Sequence, residues 1–374
     1  MWHFNIELYF NHITKMLQIY ITKCYNDIIY GSDEMRNIYD VTFESLEEYF
    51  LSLGEKKFKA NQLYTWLYDK KIKSFDDISD IKKNIIEKLK EDYYIGDIKL
   101  VNVEKDELVN KYLFELSDKE HVESVLMRHD YGLSICVSSQ VGCNMGCKFC
   151  ESGRRKKVRN LTAGEMTEQI LKIENDINEK ITHVVIMGIG EPFDNYENVT
   201  NFIKIINHPK SLAIGSRHIT LSTCGIVPKI KEFAHFPYQV NLAVSLHAPN
   251  DELRNKIMPI NKAYPIKEVI DALKYYYKET NRRITFEYIM LDGVNDSPNE
   301  ALELCQLLKG LNCYINLIPY NETNNIEFKK TKKEKIIKFY DIIKKNGMNV
   351  TIRKEFGSNI SAACGQLRSK KEEL

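Results

Sequence analysis

Charge of one sign is what this 374-residue sequence lacks: 53 Lys and Arg stand against 52 Asp and Glu, a formal net charge of +1. A chain so balanced exerts no long-range pull on phosphates, so any nucleic-acid contact has to come from local patches. It also lacks any run of about 18 apolar residues, and its N-terminus has no basic segment followed by a small-residue cleavage site. The expectation is a cytoplasmic protein without a membrane partner. An even cysteine framework is missing too: nine cysteines stand at 24, 136, 143, 147, 150, 224, 305, 313 and 364, with three inside eight residues. An odd number clustered in this way excludes a secreted disulfide scaffold and points to a reducing compartment with metal or redox chemistry.

With 43% hydrophobic and 28% charged residues, the chain can bury one large core plus a smaller unit. Residues 1–34 are aromatic-rich without periodicity and end in Gly31-Ser32-Asp33-Glu34 before Met35, which leaves Met1 and Met35 both open as natural starts. Residues 35–95 read as a small helical accessory domain. Thr42 is a candidate N-cap, Leu46, Tyr49, Phe50 and Leu53 recur at helical spacing up to Gly54, and further stripes carry Leu63, Trp66 and Leu67, then Ile85, Ile86 and Leu89. Between 96 and 135 the pattern alternates, as in Tyr112, Phe114, Leu116 and Val122, Ser124, Leu126, which predicts β-hairpins.

From 136 to 374 the chain repeats a strand and then a helix. Strands are expected at His183–Met187, Ile219–Ser222, Val240–Leu246, Ile284–Leu291, Tyr314–Ile318 and Val350–Ile352, with helical stripes between them. Six such units predict an α/β fold, a partial (β/α)6 barrel with reactive residues at the C-terminal strand ends, followed by a tail.

The densest chemistry lies in Cys143-Asn-Met-Gly-Cys147-Lys-Phe-Cys150, where Gly142 and Gly146 let a loop curl so that three thiolates converge. Three thiolates on a [4Fe-4S] cluster leave one iron open, and an open iron can chelate the amino and carboxylate groups of S-adenosylmethionine (SAM) and pass it an electron. A structural zinc would need a fourth ligand, usually from a second pair, and no paired partner is present. Zinc and a redox disulfide stay as the other two readings.

The triplet, with Phe149 before its last cysteine, resembles the hallmark of the radical SAM superfamily. Cys136-Val-Ser-Ser-Gln-Val-Gly142, Arg159-Asn-Leu-Thr162, Gly188-Ile-Gly-Glu-Pro192 and Ala362-Ala-Cys-Gly-Gln-Leu367 narrow the likeness to the RlmN/Cfr group of RNA methyltransferases. It runs from about Met35 to Leu367 and is nearer to RlmN, notably in Val137–Gly142 and Asn316–Asn321. The chain departs from that pattern at Glu151, where a small residue is usual, in the run Arg154-Arg155-Lys156-Lys157, and at Asn359-Ile360-Ser361.

The resemblance implies a cycle with two SAM molecules. One methylates Cys364; the second is reductively cleaved to a 5′-deoxyadenosyl radical that takes hydrogen from the S-methyl group, and the resulting carbon radical adds to an adenine. Cys136 then attacks the Cys364 sulfur, leaving a disulfide for an external reductant to reopen. A radical route suits the target, since C2 and C8 of adenine are electron-poor and offer no nucleophile to a methyl cation equivalent. The resemblance also makes Glu123 the candidate general base and places SAM against Gly190, Glu191, Ser222, Ser245, Leu246, His247 and Asn321, most of them at successive strand ends. Cys24, Cys224, Cys305 and Cys313 read as packing.

The implied substrate is an adenosine of 23S rRNA at the peptidyl-transferase centre, and in some members also the adenosine following the tRNA anticodon, flipped or already unstacked. The run 154–157 with Arg159 could hold phosphates, and Tyr64, Trp66 and nearby lysines could grip the RNA. A flavodoxin-type electron donor and a monomeric state are also expected. Two rivals remain at this point: the same chemistry at C8, as in Cfr, and a non-catalytic metal-binding RNA module.

Overall fold

A computed structural model of the chain describes residues 35–322, 327–353, 362 and 365–367. The described chain divides into two compact units, one built from residues up to Ile38 with Lys73–Ile95, the other from Tyr39–Ile72 with the chain from Gly96 onward. In the first, β1 (Arg36–Asn37) pairs in parallel with β2 (Tyr93–Tyr94), and the helix Lys83–Asp92 buries Ile85, Ile86 and Leu89. The Ser74 side chain and Asp77 cap the short helical turn before it reciprocally.

The second unit is dominated by one ten-stranded sheet in the order β14-β13-β12-β11-β10-β9-β6-β5-β4-β3. Its strands are β3 (Lys99–Lys105), β4 (Val109–Glu115), β5 (His121–His129), β6 (Gly132–Cys136), β9 (His183–Ile186), β10 (Ile219–Thr223), β11 (Asn241–Ser245), β12 (Ile284–Met290), β13 (Cys313–Pro319) and β14 (Asn349–Ile352). A separate two-stranded ribbon joins β7 (Gln140–Val141) to β8 (Arg159–Asn160). β3 to β6 are antiparallel; from β6 to β14 every pairing is parallel. β6 serves both halves, set against β5 as a hairpin and against β9 as the first barrel strand. This is the α/β arrangement of a partial barrel, with the hairpins extending the same sheet.

The predicted strands lie within about a residue of the observed ones, because parallel strands covered by helices are buried on both faces and stand out as short apolar runs. Two helices had no predicted counterpart. Ala163–Ile177 is buried over eleven of its 15 residues, including Glu165, Glu168 and Glu174, so no polar face marks it. Its start is nonetheless written in Thr162-x-x-Glu165, a reciprocal capping box. The other is Asp251–Ile257, short and capped by the Asn250 side chain.

The helices of Tyr39–Ile72 belong to the barrel unit. Phe43 stacks on His208 at 4.0 Å between ring centroids, Asp40 accepts from the Gly164 amide at 2.6 Å, and Lys71 pairs with buried Glu174 at 3.4 Å. Tyr64 is buried, and its hydroxyl donates to the Val41 carbonyl, so it is core and not the RNA grip the sequence offered. Trp66 is half-buried with the Lys70 ammonium 3.3 Å from its ring centroid. Among the described residues no helix is long and apolar enough to cross a membrane.

Candidate active site

The C-terminal ends of the parallel strands surround a cleft of about 880 Å3 measured out to its open mouth. Cys143, Cys147 and Cys150 line it together with Gly190, Glu191, Ser222, Ser245 and His247. Leu246 and Asn321 are buried and do not form its surface, and neither Cys136 nor Glu123 lines it. Cys364 lies outside the described residues, but its neighbour Gly365 is part of the cleft wall.

The cysteine loop sits between β7 and β8 and folds as its glycines require. Gly142 (φ +74°) and Gly146 (φ +64°) both occupy left-handed conformations, and a Cβ on Gly142 would come within 2.4 Å of the Lys156 carbonyl. Burial pushes all three thiols up, Cys143 to about 12, so none ionises readily without a compensating positive charge. Iron bound there would supply that charge. Among the described residues no three His, Cys, Asp or Glu are grouped to hold a single ion. A zinc would draw its sulfurs to about 2.3 Å from one centre, whereas a cluster binds each thiolate to a separate iron, and three thiols on one open apolar cleft fit it.

Glu191 lines the same cleft. Its carboxylate accepts from Thr223 Oγ1 at 2.7 Å and from the amides of Cys224 at 2.8 Å and Phe193 at 3.0 Å, and burial still raises its pKa above the ordinary carboxylate value. The preceding Gly190 (φ +114°) allows the close approach, since a Cβ there would lie 2.7 Å from Gln140 Cβ. His247 also carries positive φ (+60°); its Nδ1 accepts from the Ile289 amide at 3.1 Å. Burial and the nearby Arg254 charge lower it to about 3, so it is neutral with its proton on Nε2.

Cys136 and the tail meet elsewhere. Cys136 packs with Val109, Val125, Ile189, Ala362 and Leu367, so residues on both sides of Cys364 share its apolar cluster or the cleft wall. The tail is tied to the cysteine loop: Glu151 N donates to Gly365 O at 2.8 Å and Ser152 Oγ to Leu367 O at 2.8 Å. Glu151, the departure noted in the sequence, is thus a tether point as well as the ion-pair partner of Arg154 at 3.4 Å. Glu123 is buried on β5, and strand alternation puts it on the face of Val125, the cross-strand partner of Cys136. Lys111 Nζ lies 3.7 Å from its carboxylate. Among the described residues no cysteine is in a disulfide.

Two residues that the sequence reading missed also line the cleft. Glu287 is buried in β12, accepts from Asn316 Nδ2 at 2.8 Å, and has Arg353 Nη1 at 3.7 Å; burial raises its pKa. A lone carboxylate inside the apolar run Ile284–Met290 was the available signal.

The comparisons with known proteins agree with this geometry. Residues 137–305 match the radical SAM superfamily, and 36–95 match the N-terminal domain of ribosomal RNA large subunit methyltransferases. The chain is 53% identical to a protein from Caldanaerobacter subterraneus over 90% of its length and 98% of that relative, described as a probable dual-specificity RNA methyltransferase RlmN. A protein of the same description from Enterococcus faecalis is also 53% identical, over 90% of this chain and 97% of the relative. Among solved structures, a radical SAM methyltransferase from Sphaerobacter thermophilus superposes with a TM-score of 0.84 at 40% identity, over 90% of this chain and all of that one.

Proposed function

We propose that this chain, which belongs to the RlmN family of RNA methyltransferases in the radical SAM superfamily, methylates C2 of an adenosine in 23S rRNA and in tRNA. The observation that carries the reading is the single cleft shared by the three cysteines, Glu191, Ser222, Ser245 and His247, with the tail residue Gly365 on its rim. Cys143, Cys147 and Cys150 would hold a [4Fe-4S] cluster, which would supply the electron for reductive cleavage of SAM.

The chain's own residues do the rest. Glu191 accepts from the SAM ammonium, Ser222 and Ser245 with the Leu246 and Asn321 segments fix the nucleoside, and His247 offers Nε2–H as a neutral donor. Cys364 carries the methyl group to the base, Glu123 takes the base proton, and Cys136 attacks the Cys364 sulfur to free the product. The common packing of Cys136 with Ala362 and Leu367 supports that last pairing. Residues 35–95 act as the RNA-gripping part, the hairpins 96–135 connect it to the catalytic part 136–374, and a flavodoxin-type donor reopens the disulfide of a monomeric, cytoplasmic enzyme.

The test is mass spectrometry of rRNA fragments and tRNA from a host without its own enzyme, with and without this protein. A 2-methyladenosine gain in both RNAs is expected. A gain only at C8, or none, overturns the reading.

A further inference from the structure

A buried arginine behind the cleft has no role in the steps above. Arg254, on the helix Asp251–Ile257, has no solvent exposure and spends every N–H on oxygen. Nε donates to Leu246 O at 3.2 Å, Nη1 to Asn261 Oδ1 at 2.9 Å and Tyr264 O at 3.3 Å, and Nη2 to Cys224 O at 2.6 Å and Ser245 O at 3.2 Å. None of these acceptors is a carboxylate. Asp251, about one turn earlier on the same helix, accepts from Asn261 Nδ2 and the Ile266 amide and reaches Arg254 through space only. A guanidinium desolvated this completely is costly unless its charge is used, and in a core built only for strength an apolar side chain of similar volume would serve as well.

Its position says where the charge goes. Three of the four carbonyls it holds, those of Cys224, Ser245 and Leu246, end β10 and β11, the strands that present Ser222 and Ser245 to the cleft. The same helix ends at Ile257, whose carbonyl accepts from the Lys148 amide at 3.0 Å inside the cysteine triplet, and a Cβ on Gly146 would touch Pro259 just beyond. Ile257 and Met258 pack with Phe149, and Cys147 and Cys150 flank that cluster. Arg254 thus stands one helix turn from the loop that binds iron, within electrostatic reach of Cys147.

We propose that Arg254 is a positioning residue whose fixed positive charge, held behind the cluster loop by backbone carbonyls, raises the reduction potential of the cluster while clamping two walls of the SAM site. Three thiolates make the cluster site anionic and reduction adds another negative charge. In a low-dielectric setting a nearby cation with no carboxylate among its hydrogen-bond acceptors favours that addition. The inference rests on the cluster assignment above.

The experiment is an EPR-monitored redox titration of anaerobically reconstituted wild type, Arg254→Lys and Arg254→Gln, with iron per chain measured in each. Arg254→Gln should bind iron as wild type does yet show a reduced fraction at least tenfold lower relative to oxidised at the same applied potential, a shift of about 59 mV for one electron. Arg254→Lys should stay close to wild type. If Arg254→Gln does not fold, Asp251→Asn removes an acid whose charge acts on Arg254 while keeping an oxygen to accept from Asn261 and Ile266, and should shift the potential in the opposite direction. Iron-loaded Arg254→Gln or Asp251→Asn with the wild-type potential, or a Lys variant shifted as far as Gln, overturns the proposal. Iron missing from the wild type would instead defeat the cluster assignment.

Discussion

The cysteine loop, 143–150, and the basic run that follows it, 154–159, are adjacent and equally conspicuous as sequence, yet the fold uses them in opposite ways. The three cysteines turn inward to a common cleft. The cations are mostly taken up by neighbouring acids: Arg154 by Glu151, Arg155 by Glu120, Lys157 by Asp194, and Arg159 by Asp118 and Glu165. Lys156 is exposed and, among the described residues, is in no ion pair. Ligand spacing carries geometry because one centre must satisfy all the ligands at once, whereas a charge run says nothing about whether its partners lie inside or outside the molecule.

Breaking the first half of the contrast should have the largest effect. Cys143→Ala is expected to drop iron from about four per chain to near none and to abolish RNA methylation, as measured by iron assay and absorbance of anaerobic protein. Cys136→Ala should still cleave SAM but stall on its substrate. A denaturing gel should show a protein–RNA species that nuclease removes and that is absent when Cys364 is replaced as well; free turnover would remove Cys136 from the mechanism. Glu191→Ala should leave iron unchanged and weaken SAM binding roughly tenfold to a hundredfold, the range for a charged hydrogen bond of about 1.5–3 kcal/mol. In the wild type, SAM binding should weaken as pH falls through the raised pKa of Glu191, because the protonated acid no longer attracts an ammonium.

The second half predicts small effects. Lys156→Ala should reduce the slope of log affinity for RNA against log salt by roughly 0.7–0.9, one phosphate contact, while Arg155→Ala and Arg159→Ala leave the slope as it was. Equal slope changes in all three would restore the whole run as a phosphate clamp. His247 adds a stability signature. The folded-state value of about 3 lies below the unfolded value of about 6.5, so the unfolded chain binds the proton first. Stability from this residue is complete above about 6.5 and is lost as pH falls toward 3, at up to about 1.4 kcal/mol per pH unit. Chemical denaturation of wild type and His247→Asn at several pH values should show a shallower acid loss in the variant.

What the sequence made legible follows the same division. Strands β9 to β14 were readable because burial on both faces writes them as apolar runs, and Gly190-Glu191, Ser222 and Ser245 came with them at the strand ends. The helix Ala163–Ile177 was not, because its acids are buried by partners distant in sequence, as when Glu168 accepts from the Ile98 amide at 2.7 Å. Arg254 escaped for a related reason: on a short helix it reads as one more solvated cation until its five acceptors, from three separate segments, are seen together. Tyr64 failed in the other direction, an aromatic beside lysines whose ring turns inward.

The three cysteines proposed to bind iron all come from a single eight-residue turn that belongs to no barrel strand, while the walls around them are held by parallel pairings and by Arg254. Closing so short a turn on a metal adds little chain-entropy stabilisation to the whole. The shell is therefore expected to form first and to be filled afterwards, so maturation is a delivery to a finished receptacle through its open mouth. On the same ground oxygen damage is expected to be repairable: a chain stripped of iron should keep its architecture and be charged again without refolding.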